Sequence, residues 1–95
     1  MDNKYDIGDF VNVLTKERAH YNLVERFKKR RKEAGLSQRE LALRSGVSYG
    51  SIRRFESCGE ISLSSLMRIA DAIGLLKDFN ELFKNRIITD IRKGR

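Results

Sequence analysis

One histidine and one cysteine bound the reactive chemistry open to this chain. His20 and Cys58 stand 38 positions apart (58 − 20), and no Asp or Asn around them completes a nucleophile, a base and its orienting group. A single histidine excludes any mechanism or metal site that needs two from one chain. The lone thiol makes no intrachain disulfide and, by itself, no zinc site. There is no Gly-rich phosphate loop, and the carboxylates are scattered at helix positions that normally face water. Cys58, just before Gly59, reads as a small helix-end residue, and His20 as a surface or helix-junction residue. The expectation is a protein that is not an enzyme and needs neither cofactor nor metal.

The cations remain. Twenty Lys and Arg face 13 Asp and Glu, a net charge of +7, with an isoelectric point near 9.9. Residues 1–22 carry three cations and four anions (3 − 4 = −1), residues 23–54 ten and three (10 − 3 = +7), and residues 55–95 seven and six (7 − 6 = +1). The middle third therefore supplies the whole excess. A local basic face attracts phosphates, whereas a uniform one mostly aids solubility. No apolar run approaches the roughly 20 residues of a membrane span, and the N-terminus lacks a signal-peptide layout. A cytoplasmic protein with a polyanionic partner is expected.

The elements that must position these charges are helical. With 95 residues, 40% hydrophobic and 35% charged, the chain has room for one domain with a modest core. Gly35, Gly46, Gly59 and Gly74 each follow a segment of helical period. Before Gly35, Leu23, Val24, Phe27 and Ala34 fall roughly on one face, and the cations at 28–32 complement the helix C-terminus. Ser37-Gln38-Arg39-Glu40 reads as a capping box. A helix of under three turns follows, with Leu41 and Ala42 inward, and stops at Gly46. Ser48 caps the next helix, in which Ile52 and Phe55 face the core with Val47. Ser62 opens another, with Leu63, Leu66, Ile69, Ala70 and Ile73 as a wide apolar stripe. A last helical pattern carries Phe79, Leu82, Phe83 and Ile87. Residues 9–16, with Phe10, Val11 and Leu14, predict an extra N-terminal helix. Residues 86–95 are compatible with helix, strand or a frayed end. The division expected is an extension at 1–20, a domain at 21–84 and a tail at 85–95.

Two short helices around a tight glycine turn form a helix-turn-helix. Ala42 permits close approach of the second helix, Gly46 can take positive φ at the turn, and Val47 and Ile52 lock the two together. With AGLSQ, the LA pair, SGVS, SIRRFE and LMRIADAIG in order, residues 23–76 resemble the Cro/C1-type helix-turn-helix family, the lambda-repressor-like DNA-binding domains. The resemblance implies an all-α fold of five helices, here with an extra N-terminal helical segment.

The resemblance also implies that the helix over 48–57 lies in a DNA major groove. With Ile52 inward, steps of 100° aim Gly50, Arg54 and Ser57 within about 40° of directly outward and Arg53 to one side. Arg54 is the foremost base reader, because its fork matches guanine O6 and N7. Tyr49, Gly50 and Arg53 complete the expected base-contacting set, and close approach of DNA is one reason to tolerate a glycine at 50. Gln38 aligns with the family's phosphate-touching glutamine. Ser37, Ser48, Ser62 and Ser64 add backbone contacts at helix starts. Arg39, Arg44 and the run at 28–32 provide long-range attraction. Arg31 and Glu56 match positions of a partly buried structural ion pair.

The function expected is sequence-specific binding of double-stranded DNA by a bacterial or phage-type transcriptional repressor. A homodimer is favoured, because a two-fold dimer reads two half-sites. The alternative is the antitoxin of a toxin–antitoxin pair, which binds a partner toxin and its own promoter. A third class is a partner-binding module without specific DNA recognition, using Phe10, Val11, Leu14, Ile87, Ile88 and Ile91.

Overall fold

A 3.6-residue period brings positions 24, 27 and 31 onto one side of a helix, and the first helix buries those three. The computed structural model describes residues 13–87. Its first helix, α1 (Lys16–Glu33), begins where the Thr15 side chain accepts from the Arg18 amide. That cap satisfies one of the open N-terminal donors. Val24 and Phe27 enter the core, and the third buried position is the charged Arg31. Leu23 is exposed, and Ala34, placed on the apolar face by the sequence reading, is instead the C-cap.

The N-terminal extension also differs from expectation. Residues 13–15 are not helical, and residues 9–12 of the expected extra helix lie outside the described residues. Residues 16–20 form the first turns of α1 itself, so the division at 20/21 falls inside a continuous helix. Thr15 as cap and Glu17 in the first turn are the local signals that start α1 early.

Four more helices follow: α2 (Gln38–Ser45), α3 (Tyr49–Cys58), α4 (Leu63–Ala72) and α5 (Leu76–Glu81). The described residues are thus all-helical. Helix α2 packs on α3 and α4, α1 packs on α3, and α5 rests on α4. Leu41, Ile52, Phe55 and Ile69 are the innermost side chains, with Val24, Phe27 and Val47 around them. The rings of Phe27 and Phe55 meet edge to face with centroids 5.5 Å apart, a favoured aromatic geometry. Leu63, expected in the apolar stripe of α4, is exposed at its first turn, while Ile69 and Ala70 are buried.

Helix α5 is shorter than its apolar pattern predicts. It ends at Glu81, Leu82 is extended, and Phe83 has φ 62°. A six-residue helix without a side-chain cap gains little from propagation. Once the helix stops, Phe83 and Ile87 can no longer share the face of Phe79. Leu82, Phe83 and Ile87 are exposed rather than part of the core.

Candidate nucleic-acid interface

The local sequence opens α2 with a complete capping box. The Ser37 Oγ accepts from the Glu40 amide at 3.0 Å, and the Ser37 amide donates to Glu40 Oε1 at 2.7 Å. The bonds from the Ser37 backbone and side chain hold the Glu40 carboxyl below its ordinary range. At the other end, Gly46 adopts φ 77° and its amide closes on the Ala42 carbonyl. Most side chains avoid this left-handed conformation. The turn drops Val47 into the core and starts α3 after Ser48.

Helix α3 divides by face. Ile52, Phe55 and Glu56 point inward, while Gly50, Ser51, Arg53, Arg54 and Ser57 are exposed and Tyr49 is half-buried. Arg39, at the start of α2, lays its guanidinium carbon 4.0 Å from the centre of the Tyr49 ring, and Arg53 approaches the same ring at 5.7 Å. Cation–π attraction therefore gathers two guanidinium groups at the N-terminal end of α3. Arg54, in the second half of α3, is ion-paired with Glu60, just beyond the helix. That contact raises the Arg54 pKa further above its usual value. An open cleft between α1 and α3 is lined by Lys28, Gln38, Gly50, Arg53 and Arg54.

Beneath this surface the α1–α3 junction is ionic. Arg31 donates from Nε to Glu56 Oε2 and from Nη2 to Glu56 Oε1, both at 2.8 Å, and from Nη1 to the Leu36 carbonyl at 2.9 Å. Gln38 Nε2 donates to Glu56 Oε1 at 2.9 Å. Burial alone pushes the Glu56 carboxyl up, but the hydrogen bonds from Arg31 and Gln38 outweigh it, and the net shift is downward. The basic run at 28–32 thus divides. Arg31 is drawn into the interior, and Lys28 and Arg30 pair with Glu25 and Glu33 on α1.

The expected phosphate-contacting residues sit at the starts of three helices. One amide proton of Gln38 is committed to Glu56, and the amide carries a second. The Ser37 hydroxyl accepts from the Glu40 amide and also bonds the Glu40 carboxyl, whereas the Ser62 hydroxyl accepts from the Ser65 amide and keeps its own proton without a partner among the described residues. Ser48 differs, because its hydroxyl donates to Ser51 Oγ at 2.9 Å while accepting from the Ser51 amide. Ser51 consequently presents a hydroxyl proton beside the position where Ser48 was expected to donate. Ser64 is exposed on the first turn of α4.

A family model described as helix-turn-helix matches residues 27–78, more than half of the chain. The chain belongs to the Cro/C1-type helix-turn-helix family. No curated protein and no solved structure matches it. This helix-turn-helix protein is a DNA-binding transcription regulator, of a family that is regulatory rather than enzymatic. Among the described residues, no helix is long and apolar enough to cross a membrane.

The family match begins at Phe27, so the first turns of α1 lie outside it. His20, on one of those turns, places Nε2 2.7 Å from the Gly59 carbonyl oxygen and so ties α1 to the end of α3. Gly59 has φ 77°, and a Cβ there would sit 2.5 Å from His20 Nε2. Sequence reasoning missed the pairing partners Arg39, Ser51 and Glu60. Arg39 and Glu60 join residues on another element or beyond a cap, which no helical periodicity links, whereas Ser51 stands three residues after Ser48, the N-cap spacing that could have found it.

Gly50 has no internal steric justification, because an added Cβ would meet nothing within 4 Å. Gly50→Ala is therefore expected to stabilise the free domain by up to about 1 kcal/mol through helix propensity. If DNA packs against this backbone, the same substitution weakens binding. Thermal melts and DNA titrations on one preparation check this. Equal or tighter binding would remove Gly50 from the contact set.

Proposed function

We propose that the protein binds duplex DNA sequence-specifically in the cytoplasm and represses transcription by occupying its operator. Helix α3 enters the major groove. Arg54 reads guanine, and Tyr49, Gly50 and Arg53 complete the base-contacting surface. Gln38, Ser37, Ser48, Ser62 and Ser64 hold the flanking phosphates from helix starts. The observation that carries this reading is the exposed face of α3, where Arg39 and Arg53 meet at the Tyr49 ring and Arg54, farther along, pairs with Glu60. Phosphate donors that fix register beside side chains that can reach base edges are what sequence reading requires.

We place the protein on DNA as a homodimer, since paired recognition helices one turn apart read two half-sites. Selection of bound sites from random duplex DNA tests both parts. A palindromic motif with half-sites about 10 base pairs apart, centre to centre, is the expected result. An enriched single half-site would refute the dimer alone. No enriched motif would overturn sequence reading and favour a module that recognises a protein partner.

A further inference from the structure

We propose that Glu60 is a specificity-determining residue, positioning the Arg54 guanidinium for its base and screening it from phosphates. The inference rests on the reading of Arg54 as a base-contacting side chain.

Glu60 follows Gly59, whose left-handed backbone turns the chain at the end of α3. The turn brings the Glu60 carboxylate to Arg54 Nη2. His20 Nε2 bonds the Gly59 carbonyl, so the cap that carries Glu60 is itself tied to α1. Both partners are more than half exposed, with side chains 65% and 60% accessible. Exposed ion pairs add little to stability. The consequence of this one is therefore where it puts the guanidinium.

Arginine carries five N–H donors in a rigid planar fork. With Nη2 engaged by Glu60, the plane is oriented and donors remain for a second acceptor. Guanine offers O6 and N7 side by side and accepts two parallel bonds. A phosphate competes poorly for the same group, because it must approach the Glu60 carboxylate, a charge of its own sign. One acid thus lowers the ordering cost on the correct base and penalises indiscriminate backbone contact.

The test uses the full chain and its selected site, compared with a scrambled duplex and with a site altered at the base pair whose discrimination Arg54→Ala loses. Glu60→Ala should leave the melting temperature unchanged and tighten binding to scrambled DNA. It should lower discrimination at that base pair about two- to tenfold, the scale of ordering one long side chain. Glu60→Gln, which keeps an acceptor but not the charge, should fall between. In an Arg54→Ala background neither substitution should alter discrimination. A uniform gain on all duplexes that persists in that background would reduce Glu60 to a simple repulsive charge and overturn the positioning role. Unchanged discrimination in Glu60→Ala would overturn it as well. If Arg54→Ala alone leaves selectivity intact at every position, the base-reader reading fails first, and the role of Glu60 falls with it.

Discussion

Glu56→Ala is expected to destabilise the domain by about 3–5 kcal/mol, because it strands the buried Arg31 guanidinium. Arg31 and Glu56 are only 8% and 7% exposed. After the substitution Arg31 keeps only the Leu36 carbonyl, and Gln38 loses its acceptor. Small domains are stable by roughly 5–15 kcal/mol in total, so much of the margin disappears. The melting temperature should fall by more than about 10 °C, and DNA affinity should fall with it, since the pair joins α1 to α3. Replacing both partners with apolar side chains, Arg31→Met with Glu56→Leu, should cost less than the single change, because no charge is left buried. The pair also sets an acid limit. In the folded state the Glu56 carboxyl sits below its ordinary value, as Arg31 and Gln38 outweigh burial. The folded protein then binds fewer protons at this site than the unfolded chain, whose glutamates titrate at about 4.3. Its stabilisation is complete above that pH and is lost as the pH falls through the lower, folded-state value. Urea midpoints measured downward from pH 7 should show this loss in the native protein and a shallower one in Glu56→Gln. An unchanged melting temperature in Glu56→Ala would dismiss the pair as a structural element.

Arg54→Ala should abolish discrimination at one base position. A bidentate arginine–guanine contact contributes about 1–3 kcal/mol of selectivity, and Arg54 is exposed on α3 without a role in the core. The melting temperature should stay where it is. Gln38→Ala provides the contrast, weakening binding to all duplexes alike, as expected of a phosphate contact. Gln38 also donates to Glu56, so its removal should lower stability slightly, and binding must be compared well below the melting transition. Competition titrations against single-base variants of the selected site measure both. If Arg54→Ala and Gln38→Ala reduce binding to every variant equally, Arg54 holds phosphate and does not choose among sequences.

The helix order and the turn were legible because their causes are local. Ser37 with Glu40 makes a cap within four residues, Gly46 follows a short apolar pattern, and Ile52 and Phe55 recur at helical spacing. The +7 excess over residues 23–54 falls mostly on α1, with the remainder on α2 and the first half of α3. Helix ends were less legible. Thr15 started α1 earlier than its apolar pattern, and α5 stopped at Glu81 although Leu82 and Phe83 continued the apolar pattern.

Motifs, caps and 100° steps need no knowledge of distant partners, so the family, the all-helical class and the outward face of α3 follow from residue order alone. What each cation does depends instead on contacts between helices and across their caps. Arg31 and Arg30 are adjacent in one basic run, yet one is buried against Glu56 and the other pairs on α1 with Glu33. Arg53 and Arg54 are likewise adjacent, yet one approaches the Tyr49 ring and the other meets Glu60. Along a helix, neighbours diverge by 100°, and each side chain's partner is the group that packing brings to its side.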